Sequence, residues 1–348
     1  MDNNPIWDFI EEQPEILQGI LKCYGREKIF IKGVKKPKKI IITASGTSLN
    51  AAYTLKPFFN QIKDCQLIVE NPFQLRHYHT LLDEHQADTV IIGISQTGKS
   101  TGTMDCIKKA NAHQIPTIAL TEALDSPLAK LANHVVKMGC GPEDVPPKTK
   151  GYSATVLTLQ LLVLTLLDCE DQPLIAEYEK CVNDISEVIT ASKLWSENNS
   201  HWSKAPTLTV VGFGYNDGVA KEGALKLLET LQIPVMNYDL EEFMHGPHRT
   251  IVEDSFIILI QTKGVGEVFM NNLIEFVKSK TTNYLVISST NASDAHTIQV
   301  KHYPLSDAWM QTVIPLQVLC SYLPEVNGIN PAAPVYGSFA TTVGTRVE

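Results

Sequence analysis

Residues 39–45 (Lys-Ile-Ile-Ile-Thr-Ala-Ser) read as a short apolar strand that ends in Gly46-Thr47-Ser48 and continues into a helical run from Leu49 to Phe59. A second apolar strand, Thr89 to Ile94, passes through Ser95-Gln96-Thr97-Gly98-Lys99-Ser100 into a helix from Thr101 to Ala112, and Thr117 to Leu120 supplies a third strand. This βαβαβ order predicts a parallel sheet with right-handed crossovers. The order returns after residue 205, as strand Thr207 to Val211, turn Gly212 to Asn216, helix Gly218 to Leu231, strand Ser255 to Ile260 and turn Gln261 to Gly264. Gly46 matches Gly214 and Gly98 matches Gly264, an internal duplication at a spacing of about 166 to 168 residues.

A chain of 348 residues has room for two such cores. The expected fold is α/β, with two doubly wound parallel-sheet domains of flavodoxin-like, three-layer form. The boundaries fall into a helical segment at 1–30, a first domain at 31–170, a helical linker at 171–200, a second domain at 201–325 and a tail at 326–348. With 44% hydrophobic and 19% charged residues the chain is globular. No apolar run is long enough to cross a bilayer and Met1-Asp2-Asn3-Asn4-Pro5 has no signal-peptide pattern, so a cytoplasmic location is expected. The seven cysteines lack a CxxC pair, which predicts neither a disulfide nor a zinc site. A net charge of −9 argues against nucleic acid as a partner, and the cluster Lys32, Lys35, Lys36, Lys38, Lys39 reads as a solvated loop.

In an open parallel sheet the crevice lies beyond the carboxyl ends of the strands, where both hydroxyl-rich turns fall. Thr47, Ser48, Ser95, Thr97 and Ser100 therefore converge, and each turn opens a helix whose unpartnered amides favour an anion. Gly46 and Gly98 allow close backbone approach. The plainer explanation makes Ser48 and Ser100 N-caps, but two such turns in one βαβαβ unit favour a ligand. With no GxGxxG or GxxxxGK[ST] pattern, a single phosphate on a small molecule fits better than a dinucleotide or a nucleoside triphosphate.

Glu222, Lys226 and Glu229 share one helix face. Such spacing usually marks a solvated stripe, yet Ala220, Gly223, Ala224, Leu225 and Leu228 suggest a helix packed against neighbours. Downstream, Glu241-Glu242-Phe243-Met244-His245-Gly246-Pro247-His248 places His245 beside carboxylates in a turn, which suits proton transfer near neutral pH.

Several of these motifs resemble one family in order along nearly the whole chain. Ser45-Gly46-Thr47-Ser48, Ser95-Gln96-Thr97-Gly98, Gly141-Pro142-Glu143, the Lys221 to Glu229 helix, Glu242-Phe243-Met244-His245-Gly246-Pro247 and Glu12-Gln13-Pro14 look like the isomerase half of glucosamine-6-phosphate synthase, built from tandem SIS (sugar isomerase) domains. The resemblance implies a sugar 6-phosphate held by Gly46, Thr47, Ser48, Ser95, Gln96, Thr97 and Ser100, with Glu222 and Lys226 beside the substrate. It makes Glu229 the proton-shuttling carboxylate and His245 the ring-opening histidine, supplied across a homodimer. Neither a metal nor an organic cofactor is implied, and no membrane partner.

The departures narrow this expectation. No glutaminase segment or Cys after Met1 is present, the loop serine after Gly-Pro-Glu gives way to Pro146-Pro147-Lys148-Thr149-Lys150, and no lysine follows Lys301 to form an imine. A Glu/His pair without that lysine is similar to the fructosamine-6-phosphate deglycases. The leading expectation is a deglycase of a 6-phosphorylated sugar–amino acid adduct, working through an enolamine. Aldose–ketose isomerase, amino-sugar-phosphate deaminase and non-catalytic phosphosugar sensor stay open beside it, as does contact of Lys148 and Lys150 with a substrate carboxylate.

Overall fold

The computed structural model describes residues 4–26, 34–83, 85, 88–169, 171–290 and 294–347. Lys32 of the basic cluster lies outside them. The chain forms two compact units, one of residues 16–144, 151–171 and 334–348, the other of residues 1–15, 145–150 and 172–333.

The first unit is built on five parallel strands, β1 (Lys39–Thr43), β2 (Gln66–Glu70), β3 (Thr89–Ile94), β4 (Thr117–Thr121) and β5 (His134–Lys137), in the order β2-β1-β3-β4-β5. The second holds β6 (Leu208–Gly212), β7 (Val235–Asp239), β8 (Phe256–Gln261), β9 (Tyr284–Ser288) and β10 (Thr297–Gln299), in the order β7-β6-β8-β9-β10. These are one topology written twice, with the strand order reversing beside β1 in one copy and beside β6 in the other. Both are α/β sheets of the duplicated kind expected from the sequence. Central strands β1, β3, β4, β6, β8 and β9 are almost wholly buried, as strands covered on both faces must be. Ile41, Ile91 and Ile107 lead one core, and Val211, Leu259 and Ile274 the other.

Two expectations need correction. The first copy has five strands where βαβαβ predicts three; the two added ones, β2 and β5, are edge strands of mixed burial, with the short apolar runs Leu67-Ile68-Val69 and Val135-Val136. The helix expected from Leu49 to Phe59 is two helices, Thr47–Thr54 and Lys56–Gln61. Pro57 lacks the N–H that would continue the first.

Candidate functional site

In the first unit, Thr43 pairs with Gly93 across β1 and β3, so the two turns leave adjacent strands side by side at the switch point. Gly46 has φ +57° and ψ −135° and stands at the N-cap of the Thr47–Thr54 helix without a side-chain cap. Ser48 lies inside that helix, and Ser100, at the N-cap of the Thr101–Ala112 helix, makes no capping bond. Ser48 is therefore not an N-cap, and Ser100 holds the N-cap position without a capping hydrogen bond, its hydroxyl accepting instead from Thr103 Oγ1 at 3.1 Å.

Residues 95–98 form a tight turn in which the Gly98 N–H donates to the Ser95 carbonyl over 3.0 Å. Gly98 has φ +64°, and a Cβ there would meet Ser126 Oγ at 1.9 Å, so only glycine fits. Ser95 is buried, Gln96 half-buried and Thr97 exposed. The Gln96 amide donates to Glu143 Oε2 at 3.0 Å, and the same oxygen accepts the Gly151 N–H at 3.1 Å. Thus the Glu143 of the Gly-Pro-Glu motif orients Gln96 from below the turn. Over the following loop lies the tail, where Gly344 and Thr345 accept hydrogen bonds from Thr101 and the Val347 N–H donates to Lys99.

The second unit carries the acid–base helix, Tyr215–Leu231. It packs against the Trp309–Val326 helix so closely that a Cβ on Gly223 would lie 2.3 Å from Leu316. Glu222 and Lys226 are fully buried, excluding a solvated stripe, whereas Glu229 is 34% exposed. Lys226 Nζ lies 2.6 Å from Glu229 and 3.7 Å from Glu222. Burial alone would lower the Lys226 pKa, but the two carboxylates more than offset it and hold the value above the ordinary lysine range. Leu228, expected to pack, is instead exposed, and Leu227 takes the buried position.

His245 follows the Leu240–Met244 helix, is 71% exposed, and pairs with Glu241 at 3.0 Å. Among the described residues no hydrogen bond or ion pair joins it to Glu229. Lys150 is buried, ion-paired with Glu12 and 4.5 Å from the Phe9 ring centroid, which makes it a structural cation and not a surface one.

Sequence reasoning missed Asp307. Gly214 has φ +59° and ψ −129°, nearly the conformation of Gly46, and it too stands at an N-cap. A Cβ on Gly46 would meet nothing within 4 Å, but one on Gly214 would lie 3.0 Å from Asp307 Oδ2. The Asp307 carboxylate accepts the Tyr215 N–H, and burial pushes its pKa up to about 6. Asn216, the counterpart of Ser48, is buried and accepts from Thr312 Oγ1 at 2.5 Å. The space beside Gly46 is open, whereas the space beside Gly214 is occupied by Asp307. No motif in the sequence marks Asp307, which reaches the Gly214 turn only through the path of the chain in space.

The family described as SIS domain matches residues 34–166 and 201–303, one segment in each copy. The chain belongs to the SIS domain family. It is 25% identical to the glutamine–fructose-6-phosphate aminotransferase of Chlorobaculum tepidum over 93% of its own length and 27% identical to that of Pyrococcus horikoshii over 93%, covering 56% and 55% of those proteins. This SIS chain thus spans about half the length of the curated relatives it matches. A Clostridium difficile protein proposed to be a phosphosugar isomerase superimposes with a TM-score of 0.89 at 25% identity, over 98% of this chain and 99% of that one. The glucosamine-6-phosphate deaminase of Thermotoga maritima shares the fold, with a TM-score of 0.79 at 19% identity over 95% of this chain and 97% of that one. Among the described residues no helix is long and apolar enough to cross a membrane, and no cluster of His, Cys, Asp or Glu is arranged to hold a metal ion.

Proposed function

We propose that this SIS protein hydrolyses a 6-phosphorylated sugar–amino acid adduct, releasing the amino acid and a hexose 6-phosphate. The observation that carries the proposal is the tail: the segment paired to the loop at Lys99–Thr101 contains no lysine, and none occurs after Lys301. No tail amine is there to form an imine with a ketose, so a substrate that already contains the carbon–nitrogen bond suits this chain better than free ketose plus ammonia.

The open Gly46 seat and the Ser48, Ser95, Gln96, Thr97 and Ser100 groups hold the phosphate through amides and hydroxyls. His245 donates a proton to the ring oxygen to open the sugar; its exposure is compatible with service to a neighbouring copy in a homodimer. Glu229 then takes the C1 proton of the ketoamine, giving an enolamine, and returns a proton to C2, leaving a C1=N imine. Water adds at C1 and the amine leaves with its electron pair, so adduct plus water yields amino acid plus aldose 6-phosphate. Lys226 clamps one Glu229 oxygen while the rest of that carboxylate stays reachable.

The test is incubation with 6-phosphofructosyl-lysine, 6-phosphoglucosyl-lysine, or fructose 6-phosphate plus ammonia, with products followed by mass spectrometry beside Glu229→Gln. Free lysine and hexose 6-phosphate, absent with the variant, are expected. Interconversion of sugars alone would make the protein an isomerase or deaminase, and binding without turnover a sensor.

A further inference from the structure

The phosphate cradle is made of neutral groups, yet a phosphate monoester carries about −1.5 to −2 charges at pH 7. Gly46, Thr47, Ser48, Ser95, Gln96, Thr97 and Ser100 supply no cation among them. The nearest cation in sequence, Lys99, adjoins Ser100 in an extended stretch, where successive side chains point to opposite faces.

The tail brings another. The Phe339–Val343 helix ends at Gly344, whose φ of +76° lets the chain turn out of the helix and run antiparallel to the loop. Thr101 N–H donates to the Thr345 carbonyl over 3.2 Å, Thr101 Oγ1 to the Gly344 carbonyl over 2.7 Å, and Val347 N–H to the Lys99 carbonyl over 3.1 Å. These bonds flank an antiparallel bridge between Ser100 and Arg346. A pair flanked in this way is the non-hydrogen-bonded type, in which the Cα atoms stand about 4.5 Å apart and the two side chains share one face. Arg346 therefore shares the face of the Ser100 hydroxyl, and among the described residues no carboxylate pairs with it.

We infer that Arg346 is the cationic ligand of the substrate phosphate, carried to the cradle by the tail. A planar guanidinium suits this task, since it can give two parallel hydrogen bonds to phosphate oxygens and stays charged at every working pH. The tail thereby contributes to recognition of phosphorylated over unphosphorylated sugars, and the residue that confers it lies nearly 250 positions from its partner on the loop, as the 100–346 pairing shows.

Because this rests on the cradle holding a phosphate, the experiment tests the two separately. Inorganic phosphate and glucose 6-phosphate are titrated calorimetrically into wild type, Arg346→Gln, Arg346→Lys and Thr97→Val. Loss of one charge-assisted contact predicts binding weakened roughly 10- to 100-fold in Arg346→Gln, with part of it kept in Arg346→Lys. In wild type the affinity rises as the phosphate loses its second proton near pH 6, and Arg346→Gln flattens that rise, which a purely structural tail residue would not do. Unchanged affinity and an unchanged pH profile in Arg346→Gln, with Thr97→Val weakened, would overturn the role of Arg346 alone. If every variant binds as wild type does, the cradle itself is wrongly placed.

Discussion

Lys226 and Glu229 form a 2.6 Å ion pair in which the ammonium is fully buried and the carboxylate is one-third exposed. The lysine also faces the buried Glu222, so one cation serves two carboxylates of the same helix. Removing it takes away the cation that the buried Glu222 faces and the nearest counter-charge of Glu229. Lys226→Met is expected to cost about 3–5 kcal/mol, read from the denaturant midpoint, and Glu222→Gln added to it should recover part of the loss. An additive double variant would refute the pairing.

Glu229→Gln keeps a polar group beside the buried Lys226 but removes its nearest negative charge, so it should cost about 1–3 kcal/mol, less than Lys226→Met. The same variant should lower kcat by roughly 10²- to 10⁴-fold. A large drop in melting temperature with kcat retained would make Glu229 a structural partner of Lys226 and nothing more.

Asp307 carries a pH dependence. Its folded pKa of about 6 stands above the ordinary 3.8, so the folded state holds this proton more tightly than the unfolded chain. The resulting stability is fully present below about pH 4 and is lost as pH rises through about 6. Asp307→Asn cannot titrate, so its melting temperature should gain on that of wild type between pH 4 and 7. A constant offset across that range would contradict the assignment.

Gly46 and Gly98 both have positive φ, but their surroundings differ. Gly46→Ala meets only backbone strain and should cost about 1–3 kcal/mol. Gly98→Ala adds a collision with Ser126, 1.9 Å from the new Cβ, and should cost roughly 2–5 kcal/mol. Thermal unfolding of the two variants checks the order, and equal losses would show that the 95–98 turn yields.

The duplication was legible in the sequence because it rests on local rules: apolar runs make buried strands, and a glycine directly after a strand marks a turn that needs positive φ. Gly46 and Gly214 meet that need with nearly the same angles. The face shared by Glu222, Lys226 and Glu229 followed from helical spacing alone. Spacing could not say that Glu222 and Lys226 are buried, since that depends on Leu316, more than eighty residues downstream, packing on Gly223. The edge strand β2 escaped although Leu67-Ile68-Val69 is as long an apolar run as Ile40-Ile41-Ile42 of β1, because no glycine-marked turn follows it. Asp307 at the Gly214 turn and Arg346 beside Ser100 were decided by tertiary structure, because a turn is filled and a loop covered by whatever the chain's path brings there, and no local pattern records that path.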